Sequence, residues 1–289
     1  MIRVALGTVQ FGQSYGIANH EGQVSRATVR EMLRLAAGKG IDLLDTAIAY
    51  GESEACLGEV GINDFRIVTK LPAAPEGCAD VTRWVREQFG ASLQRLGVQA
   101  VYGLLLHRPV QLLEPGGVKL YQGLLALKEV GLVEKVGVSV YSPDELAALI
   151  PRYRIDLVQA PFNLIDQRLK TSGWLCRLKH NNIEVHTRSA FLQGLLLMSQ
   201  SEIPDIFSPW ADIWSKWHRW LANQAASPVR ACLAYPLSCP EIDRVVVGAN
   251  GLAQLLQIVD AANEAVDVVP PDLACTDENL INPARWSFL

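Results

Sequence analysis

Short β-branched or leucine-rich runs alternate with longer amphipathic stretches along the chain, and few folds accept that order. Eight runs are strand candidates: residues 3–8 (RVALGT), 42–46 (DLLDT), 66–70 (RIVTK), 100–106 (AVYGLLL), 134–140 (EKVGVSV), 155–160 (IDLVQA), 183–188 (IEVHTR) and 244–248 (RVVVG). Between them lie helical segments such as 25–38, opened by the N-cap-type Ser25 and ended near Gly38 and Gly40, and 120–130, ended by Gly131. Strands joined by helical crossovers pair in parallel, and eight of each predict a closed (β/α)8 TIM barrel. An open doubly wound sheet is the alternative, but its first βα turn needs a G-x-G-x-x-G fingerprint, and Gly7 and Gly12 are spaced wrongly for it. The 289 residues suit one large barrel domain spanning 1–289, with the proline-bearing tail 266–289 (Pro270, Pro271, Pro283) as an extension of it. The chain shows no internal repeat and no low-complexity linker.

Charge and cysteine usage narrow the class. The chain has 26 basic and 30 acidic residues, net −4, with no long run of either sign. Nucleic acid and anionic membrane are therefore poor partners, and small molecules better ones. Six scattered cysteines form no C-x-x-C pair, and the opening MIRVALGT has neither a basic n-region nor a long apolar h-region. Free thiols in a cytoplasm are expected. No apolar stretch reaches the roughly 18–20 residues that span a bilayer.

A barrel concentrates chemistry at the C-terminal ends of its strands and in the loops that follow. Asp45 ends the second run, Tyr50 follows it, Lys70 ends the third and His107 follows the fourth. Together they compose a carbonyl-reducing proton relay. A tyrosine, with a pKa of about 10, donates a proton well only when a nearby cation favours its phenolate. Lys70 supplies that cation, Asp45 can hold it charged and oriented, and His107 can hydrogen-bond the substrate oxygen or the phenol. Singly, each has a plain structural reading: a Lys70–Asp45 salt bridge, a satisfied histidine at a strand end, a packed tyrosine. Jointly, in order and at consecutive strand ends, chance accounts for them poorly. Further polar residues stand at later strand ends: Ser139, Gln159 with Asn163 beyond it, and Arg188 with Ser189. Such groups suit a carboxamide and a flat ring.

These segments resemble the aldo-keto reductase superfamily over nearly the whole chain. DTAIAYGESE (45–54) matches D-T-A-x-x-Y-G-x-S-E, TK the lysine strand, LLLHRP the histidine strand and GLVEKVGVS the approach to strand five. VQAPFN and SAFLQGLL (189–196) extend the agreement. The resemblance implies a (β/α)8 barrel that reversibly reduces a small-molecule aldehyde or ketone with NADPH or NADH and no metal. It makes Tyr50 the general acid for reduction and base for oxidation, Lys70 and Asp45 its tuning pair, and His107 the substrate-orienting residue. It sets Ser139, Gln159 and Asn163 beside the nicotinamide and Gly7-Thr8-Val9-Gln10-Phe11-Gly12 at the floor of the cofactor cleft. Ser189 and Gly194, and then Gly248, Asn250 and Gln254 after strand eight, join Asp45 in the same expected binding surface.

The departures carry information too. Val140 follows Ser139 where the family commonly has asparagine, and Arg188 aligns with a tyrosine that often stacks under the nicotinamide. A planar guanidinium can also stack. The segment 247–259, where many members hold a 2′-phosphate, contains no lysine or arginine, so a strong NADPH preference is not expected. Arg244 or Arg285 would have to reach in from elsewhere to supply one. Two rival readings remain. One is a non-catalytic cofactor-binding sensor acting through a protein partner; the other is a Schiff-base aldolase using Lys70, which Asp45 opposes as a countercharge.

Trp210, Trp214, Trp217 and Trp220 recur at four, three and three residues and so share a helical face. They form either a helix packed on the barrel or an aromatic lid or partner surface. The tail segment Asn282-Pro283-Ala284-Arg285-Trp286 either folds over the mouth or caps the bottom, and sequence does not choose between them.

Overall fold

A computed structural model describes residues 2–224, 226–264 and 271–288. The strands are β1 (Val4–Gly7), β2 (Leu43–Asp45), β3 (Arg66–Leu71), β4 (Val101–Leu106), β5 (Val133–Ser139), β6 (Leu157–Pro161), β7 (Glu184–Arg188) and β8 (Arg244–Gly248). Each pairs in parallel with the next, and β1 pairs with β8, so the expected barrel closes. Helix Arg26–Gly38 begins where Ser25 was expected to cap it, the Ser25 hydroxyl accepting from Thr28 N–H. The segment expected at 120–130 begins earlier, at Gly117, and ends at Glu129.

The barrel has two apolar surfaces because its strands alternate side chains with a period of two. Outward residues such as Leu6, Leu44, Leu104, Val136, Val158 and Val245 join helix residues such as Val29, Met32, Phe89 and Leu124 in one large core. Inward, Ala5, Leu43, Val68, Leu105, Leu157 and Val246 form a thin apolar plug. Below it, at the strand N-termini, Asp42 pairs with Arg66 (2.5 Å) and Arg244 (3.1 Å). There Glu184 accepts from Tyr102 (2.6 Å), His186 (2.6 Å) and Lys135. Above the plug the inward positions are again polar, and they form the site described below.

Trp214, Trp217 and Trp220 of the expected stripe lie in a packed helix, Ala211–Gln224, whereas Trp210 ends the 3₁₀ segment Asp205–Trp210 before it, because Pro209 interrupts regular helix there. Trp214 and Trp217 are buried, and their indole N–H groups donate to Phe207 O (3.0 Å) and Leu196 O (3.1 Å). The tail packs against the segment Asp205–Trp210 before this helix, where the Trp286 ring meets Phe207 edge-on at 4.9 Å, and against the loop after β6, where Cys275 N–H donates to Ile165 O (3.0 Å). Residues 265–270, including Pro270 of the expected extension, lie outside the described residues. Among the described residues the cysteines are free and no helix is long and apolar enough to cross a membrane.

Candidate active site

Tyr50 sits in a turn after β2 that three sets of contacts hold. Gly12 and Gly51 meet there: a Cβ on Gly12 would lie 1.8 Å from Tyr50 O and 2.3 Å from Ser53 N, and Gly51 adopts φ +55°. Ser53 Oγ donates to Thr8 O (2.8 Å) and lies 2.9 Å from Thr8 Oγ1. Glu54 is buried and accepts from Thr69 (2.7 Å), Ser92 (2.6 Å) and both Nε and Nη2 of Arg95 (2.9 and 2.6 Å). Gly51, Ser53 and Glu54 of the DTAIAYGESE motif thus anchor the tyrosine turn to β1, β3 and the helix Val81–Leu96.

Asp45, Lys70, Tyr50 and His107 converge at the C-terminal mouth. Lys70 is fully buried, and its Nζ donates to Asp45 Oδ1 (2.6 Å), Thr46 O (2.8 Å) and Tyr50 Oη (3.5 Å). Burial alone would lower its pKa, but the Asp45 charge and hydrogen bond, with Tyr50, outweigh burial and raise it. The lysine is therefore a fixed ammonium aimed at the phenol. The His107 ring stands edge-on to Tyr50 with centroids 5.9 Å apart. Burial, then the Lys70 and Arg188 charges, push its pKa down to about 4. Near neutral pH it is an uncharged imidazole, able to donate one hydrogen bond but not to serve as a stored proton.

A cavity of about 660 Å³ opens from Asp45, Tyr50 and His107. Of the other expected binding residues, Gly7, Thr8, Ser139, Gln159, Arg188, Ser189, Gly194, Gly248, Asn250 and Gln254 all stand in its wall. Lys70 and Asn163 do not. Lys70 lies beneath Tyr50. Asn163 is buried in the β6 loop, its Oδ1 accepting from Ile165 N and Asp166 N (2.8 Å each) while its Nδ2 donates to Ser189 O (3.0 Å). It positions Ser189 rather than facing the cavity. Gln159 has a partner that sequence reading did not anticipate: its amide donates to Asp45 Oδ2 at 2.6 Å, across 114 residues of chain. Ser139 Oγ in turn reaches Gln159 Oε1 at 3.4 Å.

Tyr15, Tyr141, Gln193, Gln257 and Ile258 also line the cavity and were missed. Tyr15 and Tyr141 lie in loops and Gln193 at the kink of a 3₁₀ segment, Leu192–Leu197, where no periodicity marks which side chain faces inward. Tyr141 had a local signal in its position directly after the strand-five end, and Gln193 in its place within SAFLQGLL.

The wall fits a nicotinamide dinucleotide on two observations. Gln10 Oε1 is buried with no hydrogen-bond partner and lines the cavity beside Gly248, so an acceptor there awaits a donor. The loop after β7 holds Ser189, Leu192, Gln193 and Gly194 at positive φ (64°, 47°, 53° and 95°), a strained local geometry of the kind found at binding sites. Among the described residues no His, Cys, Asp and Glu group is arranged to hold a metal ion.

Solved structures share the fold. An aldo-keto reductase of Bacillus halodurans, in its holo form, superposes with a TM-score of 0.75 at 17% identity, covering 94% of this chain and 89% of that one. Glycerol dehydrogenase of Gluconobacter oxydans gives 0.69 at 20% identity, covering 91% and 87%. A Pseudomonas aeruginosa protein provisionally assigned as an aldo-keto reductase gives 0.68 at 24%, covering 91% and 90%. No curated protein matches the chain significantly. The sequence model of the Aldo/keto reductase family matches residues 3–268. A match that runs from the first barrel strand past the last makes this chain a member of the aldo/keto reductase family of oxidoreductases.

Proposed function

We propose that the protein reversibly reduces a small aldehyde or ketone to its alcohol with a nicotinamide dinucleotide, Tyr50 acting as general acid in that direction and general base in the other. The observation that carries this reading is the Lys70 ammonium, pinned 2.6 Å from Asp45 and 3.5 Å from the Tyr50 oxygen. When bound, the reduced cofactor supplies hydride to the carbonyl carbon. As the carbonyl oxygen becomes alkoxide-like, Tyr50 gives it a proton, and Lys70 stabilises the negative charge left on the phenol oxygen. Neutral His107 donates a hydrogen bond that orients the same carbonyl oxygen. Ser139 and Gln159 are the residues for the nicotinamide end of the cofactor; Asn250 and Gln254 are those for its ribose hydroxyls.

Lys70 is a poor Schiff-base nucleophile, because all three N–H groups of its ammonium are engaged and its pKa is raised. The test of the reductase reading is Tyr50→Phe. Loss of the general acid should lower kcat/KM for carbonyl reduction by at least about 100-fold, while the Kd for reduced cofactor, read by fluorescence titration, stays nearly unchanged. Wild-type protein that binds the cofactor yet reduces no aldehyde, ketone or sugar would replace this reading with the sensor.

A further inference from the structure

Arg188 ends β7 on the inward-facing register and stands in the cavity wall with Tyr15, Tyr50, His107 and Tyr141. Its Nη2 donates to Val140 O (3.1 Å), its Nη1 reaches Ser189 Oγ at 3.4 Å, and its guanidinium carbon lies 4.5 Å from the centroid of the Tyr141 ring. These contacts fix the fork without neutralising it. Among the described residues Arg188 has no carboxylate partner, and its other N–H groups have no protein acceptor.

The remaining charges of this part of the wall cancel. Asp45 is paired with Lys70, and His107 is uncharged near neutral pH. One uncompensated positive charge therefore stands in the same cavity wall as Tyr50. The proton relay does not need it, since Lys70 already supplies a cation to Tyr50. A planar guanidinium, pre-oriented by stacking and by a backbone carbonyl, matches the geometry of a carboxylate. Arg188 shares the cavity wall with Tyr50 and His107, the two residues read above as meeting the carbonyl oxygen.

Resting on the reduction reading above, we propose that Arg188 is a specificity residue that receives a carboxylate of the substrate, so that the compound reduced is an oxo acid rather than a neutral carbonyl. The test pairs 4-oxobutanoate with its uncharged methyl ester in wild type, Arg188→Gln and Arg188→Lys, with folding checked by circular dichroism. Binding of unreactive succinate to the NADH-loaded protein, measured by calorimetry at two salt concentrations, reads the site without turnover. Wild type should favour the acid over the ester by at least about tenfold in kcat/KM, as expected for a charge-assisted contact. Arg188→Gln should collapse that ratio towards one, Arg188→Lys should keep part of it, and succinate binding should be salt-sensitive and weaken by at least about tenfold in Arg188→Gln.

A ratio near one in wild type, or a ratio that survives in Arg188→Gln, overturns the proposal. A change confined to the relative Kd of NADH and NAD+ also overturns it, and would assign Arg188 to the cofactor ring. If succinate binds through Arg188 but no aldehyde, ketone or sugar is reduced, the anion site stands and the reductase reading fails. If succinate does not bind and neither carbonyl is reduced, the Arg188 proposal falls while the reductase reading is decided by the wider carbonyl panel.

Discussion

A lysine without solvent contact keeps its charge only where its surroundings replace the lost hydration. At Lys70 they do so through a carboxylate, a backbone carbonyl and a phenol, and Asp45 is itself braced from the far side by Gln159. His107 shows the opposite outcome: with burial and two nearby cations, it carries no second proton near neutral pH and is uncharged. Its pKa of about 4 lies below the ordinary value of 6.5. Between those values the unfolded chain binds a proton that the native site refuses, so His107 stabilises the fold above about pH 6.5 and that contribution is lost as pH falls towards 4. A histidine-specific NMR titration should find the His107 ring still uncharged at pH 5.5, and His107→Gln should lose less stability than wild type between pH 7 and pH 4.5. A His107 resonance titrating near its ordinary value would overturn the neutral-donor assignment.

At the level of elements, the tyrosine turn and β7 differ from ordinary barrel parts. Strands buried on both faces usually read as continuous apolar runs, yet the inward positions of β7 are Glu184, His186 and Arg188. They connect the charged floor to the site at the mouth. Burial would raise the pKa of Glu184, but hydrogen bonds from His186, Lys135 and Tyr102 outweigh it and hold the carboxyl well below the usual range. The turn after β2 depends instead on the absence of a side chain. Because a Cβ on Gly12 would collide with backbone atoms of Tyr50 and Ser53, Gly12→Ala must displace the turn. We expect that variant to unfold about 1–3 kcal/mol more readily, as overpacked sites do, and to lose at least about tenfold in kcat while Lys70 and Asp45 remain paired. Unfolding in urea and steady-state kinetics check both; wild-type kcat in Gly12→Ala would show that the turn does not position the phenol.

Across the whole molecule, the positions of cations set the expected cofactor choice. Among the described residues that line the site cavity, Arg188 is the only lysine or arginine. Arg244 is engaged at the opposite end of the barrel with Ile2 O (3.1 Å) and Asp42, and Arg285 pairs with Glu278 in the tail. The wall beyond β8 offers Asn250, Gln254 and Gln257, which can hydrogen-bond ribose hydroxyls but cannot neutralise a 2′-phosphate. NADH should therefore bind as tightly as NADPH or more so, with little difference in salt dependence. Dissociation constants for both at two ionic strengths measure this, and a strong, salt-sensitive preference for NADPH would reveal a phosphate-binding cation outside these walls.

Local pattern alone determined the eight strands, which formed within two residues of their expected ends, and it brought Asp45, Tyr50, Lys70 and His107, the proposed relay, to successive strand termini or the loops just after them. Both are readable because a strand's burial and the position of its C-terminal end are written in consecutive residues. Only the tertiary structure decided that Gln159 braces Asp45, that Asn163 turns away to hold Ser189, and that Arg188 stacks on Tyr141 without a counter-ion. It also decided that the segment before the tryptophan helix, with Phe207 and Trp210, meets the tail and that the tryptophans stand outside the cavity wall. The physical reason is closure. A sheet rolled into a barrel brings side chains from strands distant in sequence into one interior, where each polar group's partner is set by the register of the whole ring rather than by its neighbours in the chain.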